Sequence, residues 1–175
     1  FTTAIRPHII WGPRDTTFLP RIEALARRGQ LILVNEGRQQ VSLSYVDNVV
    51  DALLLGAERD GAGGEAFFVV DREPVEMRRF IASLCEAMGA PGPKGSVPYG
   101  LAFAAGTVIE GIWKLLGKST TPPISRYGIA VTGRNLVYKW EKAHRLMGYT
   151  PAVGFEEGMR RVAAWRRETA RRAGP

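Results

Sequence analysis

The sequence predicts an α/β or α+β protein whose early strands close a sheet. Two observations carry this. Apolar residues switch along the chain between a period of two and a period near that of a helix, so strands alternate with helices. The early strand segments are also brief, as in the finishing part of a sheet rather than a whole one. The composition agrees: of 175 residues, 45% are hydrophobic and 23% charged, a balance that excludes global disorder. The length allows one domain or slightly more, with a buried core.

Thr2 to Ile10 is rich in β-formers and runs into Gly12-Pro13, which predicts a strand and then a loop. From Phe18 to Arg28, Leu19, Ile22, Leu25 and Ala26 share a helical face, and Gly29 ends it. Leu31 to Val34 is a short apolar strand. Val41, Leu43 and Tyr45 alternate with Gln40, Ser42 and Ser44, again at strand period. Asp47 is expected to open a helix by accepting from the free amides of its first turn, with Val46, Val49, Val50, Leu53 and Leu54 as the stripe. Gly61 to Gly64 is a loop and Ala66 to Val70 a buried strand. Pro74 suits the first turn of a helix whose stripe is Met77, Ile81, Leu84 and Met88 and which stops at Gly89. Val97 to Leu116 is the longest apolar stretch. Its Glu110, Lys114, Pro98 and three glycines argue for a buried or interfacial helix over a membrane span. Gly117 to Ser125 reads as a loop, and Trp140 to Met147 as a short helix closed by Gly148. Phe155, Met159, Val162 and Trp165 form the inner face of the last helix.

The net charge of +7 is local: Met159 to Pro175 holds six arginines against Glu168 alone and so carries +5 of it. A solvated helix face is the ordinary origin of such a run, and a nucleic-acid partner is not expected. Cys85 is the single cysteine, which excludes a disulfide framework and suits a reducing, cytoplasmic location. With His8 and His144 the only histidines, no metal-ligand spacing arises and no metal is expected. Two motif matches fail on context. Gly61 to Ala66 fits the G-x-G-x-x-A dinucleotide fingerprint, but a helix precedes it and a strand follows, the reverse of the order that places a pyrophosphate. Tyr138 and Lys142 fit Y-x-x-x-K, a spacing that can lower a tyrosine pKa on a helix, yet they sit at a helix start near the C-terminus. The chain opens on Phe1 without a charged region leading into an apolar one, and reads as the later part of a longer protein.

Three segments carry a resemblance. Arg6-Pro7-His8-Ile9-Ile10-Trp11-Gly12-Pro13 resembles the R-P-x-x-[IV]-[YW]-G-P segment of extended short-chain dehydrogenases/reductases. Ser44-Tyr45-Val46-Asp47-Asn48-Val49-Val50-Asp51-Ala52 resembles their [HY]-V-x-D-V-A-x-A segment, and Lys142 to Pro151 their K-A-x-x-x-L-G-Y-x-P segment. Glu157-Gly158-Met159 and Trp165 follow the usual ending. Together these cover nearly the whole chain. It is similar to the second half of an enzyme of the NAD-dependent epimerase/dehydratase family, in its 3β-hydroxysteroid dehydrogenase-like branch.

The resemblance implies the C-terminal part of an NAD(P)-binding Rossmann fold plus a small, mostly helical substrate-binding subdomain. Residues 1–60 would hold the end of the sheet and the first substrate loop. Residues 61–175 would form the subdomain, with a lid at 97–125 and a C-terminal helix at 155–172. In the family, the nucleotide loop and the catalytic Ser/Thr, Tyr and Lys precede the R-P segment, so no catalytic residue is expected here. The N-terminal Rossmann half of the same protein is the expected partner, with a homodimer and peripheral membrane contact as further expectations. Pro7, His8, Ile9 and Ile10 are implied to line the nicotinamide of NAD or NADP. Trp11, Phe18 and the stretch from Tyr99 to Trp113 are candidates for the substrate pocket. Gln40 stands where nucleotide-sugar enzymes carry an arginine for the diphosphate, and a neutral amide cannot pair with one. The implied reaction is therefore oxidation or reduction of a secondary alcohol or ketone on an apolar, sterol-like substrate. A nucleotide-sugar epimerase or dehydratase and a non-catalytic NAD(P)-sensing or scaffold protein are the alternatives. A partial sheet leaves edges unpaired, so the isolated segment is expected to be unstable or to self-associate.

Overall fold

The computed structural model describes residues 1–118, 120 and 125–173. Its strands are β1 (Ala4–Pro7), β2 (Ile9–Trp11), β3 (Ile32–Val34), β4 (Gln40–Val41), β5 (Leu43–Tyr45), β6 (Ala66–Val69), β7 (Val75–Glu76) and β8 (Gly95–Val97). Its helices are α1 (Phe18–Arg27), α2 (Val46–Glu58), α3 (Met77–Met88), α4 (Tyr99–Leu115), α5 (Arg126–Gly133), α6 (Glu141–Met147) and α7 (Phe155–Ala173). The expected loop from Gly117 to Ser125 falls largely outside the described residues.

The first predicted strand is broken at His8, where it exchanges one neighbour for another. β1 runs parallel to β6, from Ala4 opposite Ala66 to Pro7 opposite Val69. β2 runs parallel to β5, with Ile9, Ile10 and Trp11 opposite Leu43, Ser44 and Tyr45. Ser44 sits in the notch between them. Its hydroxyl accepts from the His8 backbone N–H at 3.0 Å and donates to the Val69 carbonyl at 2.7 Å, satisfying groups that the break would otherwise leave unpaired. The second predicted strand also divides, at Ser42, because β4 pairs antiparallel with β7 instead. Ser42 and Ser44, the polar positions of the alternation, are thus both buried. β3 pairs in parallel with β8.

Among the helices, α1, α3 and α7 match the expected stripes. Asp15 starts α1 by accepting from the N–H groups of Thr17, Phe18 and Leu19 at 2.7–3.1 Å, and α3 ends on Gly89 in the left-handed conformation. Three expectations need correction. Asp47 lies in the first turn of α2 but does not cap it; its carboxylate pairs with Arg161 at 2.9 Å. Only Val49 of the α2 stripe turns fully inward, while Val50, Leu53 and Leu54 are about half exposed. Pro74 precedes β7 rather than opening a helix. The helix α5 had no apolar stripe long enough to announce it.

The main core gathers under Trp11, which is fully enclosed. Its ring meets Tyr45 and Phe80 edge-on at 5.1 and 5.7 Å, and Phe18 stacks on Phe80 at 5.7 Å. Met159 and Val162 close it from α7. A second core joins Val49 and Ala52 of α2 to Phe67, Val69, Met147 and Tyr149. Gly158 explains itself here. A methyl group on it would lie 2.5 Å from Trp11 Cη2 and 2.9 Å from Tyr45 Cδ2, so only a hydrogen lets α7 approach β2 and β5. Gly158→Ala is expected to lower stability by about 1–3 kcal/mol through overpacking, although alanine is the better helix former. Chemical denaturation of the intact protein checks this, and an unchanged or raised midpoint would contradict the close approach.

Candidate functional site

In open parallel sheets, ligands bind beyond the carboxyl ends of the strands. His8 to Ile10 occupy that position after β1. Pro7 has no N–H, and the N–H of His8 is held by Ser44. The His8 ring donates from Nδ1 to the Ser42 carbonyl at 2.7 Å, which places a proton on Nδ1; in the neutral imidazole Nε2 is then the acceptor. Nε2 makes no hydrogen bond among the described residues. The ring lies 5.1 Å from Tyr138, which stacks in turn on Phe68 at 4.4 Å. Ile9 packs against the core, and Ile10 is 44% exposed. The segment therefore offers an apolar surface with one fixed acceptor, which fits an aromatic carboxamide such as nicotinamide.

Beside Ile10 opens a cleft of about 670 Å³, walled by residues 10–17, the start of α2 at residues 45–47, and Arg161 and Trp165 of α7. The loop after β2 is pressed against α2: Gly12 has φ +148°, and a Cβ there would come within 2.6 Å of Val46 Cγ1. Arg14 adopts the left-handed conformation at φ +66°. Across the cleft, Arg161 bridges Asp47 at 2.9 Å and Glu157 at 2.8 Å. Hydrogen bonds from Arg161 and Arg160 hold the Glu157 carboxyl below the usual range. Burial, with the Asp47 charge added, raises the Tyr45 hydroxyl above its ordinary value, so Tyr45 stays neutral.

The floor beneath the cleft rests on Asp71, which is 7% exposed. It accepts from Trp11 Nε1 at 3.0 Å, the Tyr45 backbone N–H at 2.9 Å and Asn48 Nδ2 at 2.8 Å. Burial pushes its carboxyl up, while the three donors act in the opposite sense. A carboxyl raised in the folded state binds its proton more tightly there than in the unfolded chain. Its contribution to stability is therefore greatest in acid, and is lost as pH rises through the folded value. Asp71→Asn cannot titrate and turns an N–H towards one of the donors. We expect it to cost about 1–3 kcal/mol. We also expect it to remove part of the wild-type decline in stability as pH rises above the ordinary carboxylate range. Denaturant unfolding at several pH values tests both, and parallel pH profiles for the two proteins would count against this role.

Of the nine residues named from sequence, the cleft brings together Ile10 and Trp11. Trp11 is a floor residue, fully buried with its N–H bound to Asp71, and Phe18 belongs to the core. Gln40 is exposed on β4, opposite Glu76. Tyr99 opens α4, with its ring against Gly133 and beneath the Arg134 guanidinium. Trp113 lies at the far end of the same helix, under Lys118. Sequence reasoning missed Arg14, Asp47, Arg161 and Trp165 as neighbours. The one available signal was the Arg14-Asp15 pair directly after Gly12-Pro13. Of the discounted motifs, Tyr138 lies beside the His8 ring at 5.1 Å, whereas Lys142 and Gly61 are engaged elsewhere. Lys142 pairs with Glu65 at 2.7 Å, Tyr138 precedes α6, and Gly61 is packed on the Leu146 carbonyl. Arg160, Arg161, Arg166 and Arg172 of the basic helix are bound to Glu157, Asp47, Glu23 or Glu168. No group of three or more His, Cys, Asp or Glu fit to hold a metal occurs among the described residues.

The chain is 36% identical over 167 residues to the 2-alkyl-3-oxoalkanoate reductase of Stenotrophomonas maltophilia, covering 93% of this chain and 51% of that protein. It is 31% identical over 168 residues to the decarboxylating sterol-4-alpha-carboxylate 3-dehydrogenase of Mus musculus, covering 92% and 46%. The chain thus spans about half the length of these curated relatives. The crystal structure of gox2253 shares the fold, with a TM-score of 0.68 at 21% identity over 95% of this chain and 49% of that one. Residues 1–98, from β1 through β8, match the family profile itself. The chain belongs to the 3-beta hydroxysteroid dehydrogenase/isomerase family.

Proposed function

We propose that the protein containing this chain interconverts a ketone and a secondary alcohol using NAD or NADP, and that this chain supplies its substrate-binding half together with the strand end beneath the nicotinamide. One observation carries the reading: the apolar end of β2 opens at Ile10 into the cleft of about 670 Å³. The cofactor supplies hydride chemistry when bound. Pro7, Ile9 and Ile10 keep water from its ring, and His8 Nε2 accepts from its carboxamide. The proton-transferring residues belong to the other half. That half covers the outward face of α2, where Val50, Leu53 and Leu54 are exposed, and the free edge of β1.

The substrate class follows from two supports. Gln40 is neutral and faces Glu76 across the strands, a poor setting for a diphosphate. The two relatives named above act, by their names, at C3 of an alkyl or sterol compound, and in each that carbon adjoins the carbon bearing a carboxylate. Leu101, Val108, Ile112 and Leu115 of α4 are 48–88% exposed. With Ala104 and Ala105 they fall within an arc of about 100°. No helix among the described residues is long and apolar enough to cross a membrane. This stripe instead lies against a lipid surface, with Lys114 and Lys118 beyond it towards the headgroups.

Fluorescence titration of the intact protein with NADH and NADPH tests the reading, and failure to bind either would overturn it. Ile10→Asp is expected to cut kcat/KM for the coenzyme by about tenfold or more, by wetting the floor. Separately, Val108→Asp with Ile112→Asp should abolish flotation with phosphatidylserine-containing vesicles. Unaltered flotation would remove α4 as the contact.

A further inference from the structure

We infer that Arg14 is a specificity-determining residue that binds a carboxylate carried by the substrate beside its reacting carbon. The inference rests on the ketone–alcohol reading above and goes beyond it to a residue. The charges around the cleft decide the matter. Asp15 is consumed by the N–H groups that start α1 and by the Thr17 hydroxyl. Asp47 is bound to Arg161, and Arg161 also to Glu157. Arg14 alone among the charged cleft residues makes no ion pair or side-chain hydrogen bond among the described residues.

Its backbone makes the same point. At φ +66°, Arg14 holds a conformation that side chains with a Cβ rarely take and that glycine or asparagine would adopt with less strain. The strain is fixed from both sides, by Gly12 wedged against Val46 and by Asp15 locked onto α1. An arginine at such a position is accounted for by its head group. The guanidinium is planar and offers parallel donors that match both oxygens of a carboxylate. The neighbouring walls, Ile10, Val46 and Trp165, are largely apolar, and Arg14 itself is exposed. A substrate with its ketone carbon at the Ile10 end needs its carboxylate only two bonds away, within the same cleft.

The test uses the intact protein with a 2-alkyl-3-oxoalkanoate, its methyl ester, and NADH or NADPH. Arg14→Gln should lower the ratio of kcat/KM for the acid to that for the ester by about 10–100-fold, with coenzyme KM unchanged. Arg14→Lys should recover part of that ratio. Calorimetric binding of a non-reacting 2-alkylalkanoate should weaken in step, a readout independent of turnover. Equal losses on acid and ester, or unchanged carboxylate binding, would overturn the inference while leaving the ketone–alcohol reading intact. A raised coenzyme KM would overturn it too, by assigning Arg14 to a cofactor phosphate. If the wild type turned over neither acid nor ester yet lost carboxylate binding on Arg14→Gln, the activity would fall and the anion site would stand.

Discussion

The structure depends on one buried carboxylate. Asp71 draws together a strand side chain (Trp11), a strand backbone (Tyr45) and a helix side chain (Asn48), each from a different segment. Asn48 extends the reach. Its carbonyl accepts from the N–H groups of Ala152 and Val153, and its amide donates to the Val153 carbonyl as well as to Asp71. Two polar side chains thus bind the loop that launches α7 to the sheet and to α2. Isolated, either would be an expense in a dry interior; paired and saturated, they fix which segments meet.

From that anchor the site is positioned in steps. Asp71 holds Trp11 and Tyr45, which carry the ends of β2 and β5. Those strand ends set Ile10 on one side of the cleft and the start of α2 on the other. The buried serines perform the complementary task one layer away, holding the break at His8 so that its ring is oriented by Ser42. The apolar core supplies the adhesion, while the hydrogen bonds choose among ways of being adhesive.

Much of the fold was legible. The stripes of α1, α3 and α7 have strong period and clear stops, and the Arg6-Pro7 and Tyr45-Val46-Asp47-Asn48 segments located the strand ends that matter. The strand breaks were hidden because a period of two reports a face, never a neighbour: nothing in Thr2 to Ile10 says that its partner changes at His8. Val50, Leu53 and Leu54 were assigned inward because hydrophobicity cannot say whether the covering surface lies in the same segment. The pocket was mostly missed for a related reason. Aromatic residues near a motif attract attention, yet Trp11 and Phe18 serve the core, whereas Arg14 and Arg161 are brought together from opposite ends of the chain. Gln40 was informative by its neutrality alone.

The contact of Gly158 with Trp11 has a consequence for chain length. The segment before α7 is gripped at Ala152 and Val153 by Asn48, and the helix is seated at Gly158 by the indole. Between these two grips the number of residues is set, as in a linkage pinned at both ends. One inserted residue would turn the helix by about 100°, carrying Arg161 and Trp165 off the cleft wall and setting a side chain where the glycine stood. A change of length in this connection would therefore cost the C-terminal helix its rotational phase relative to the sheet.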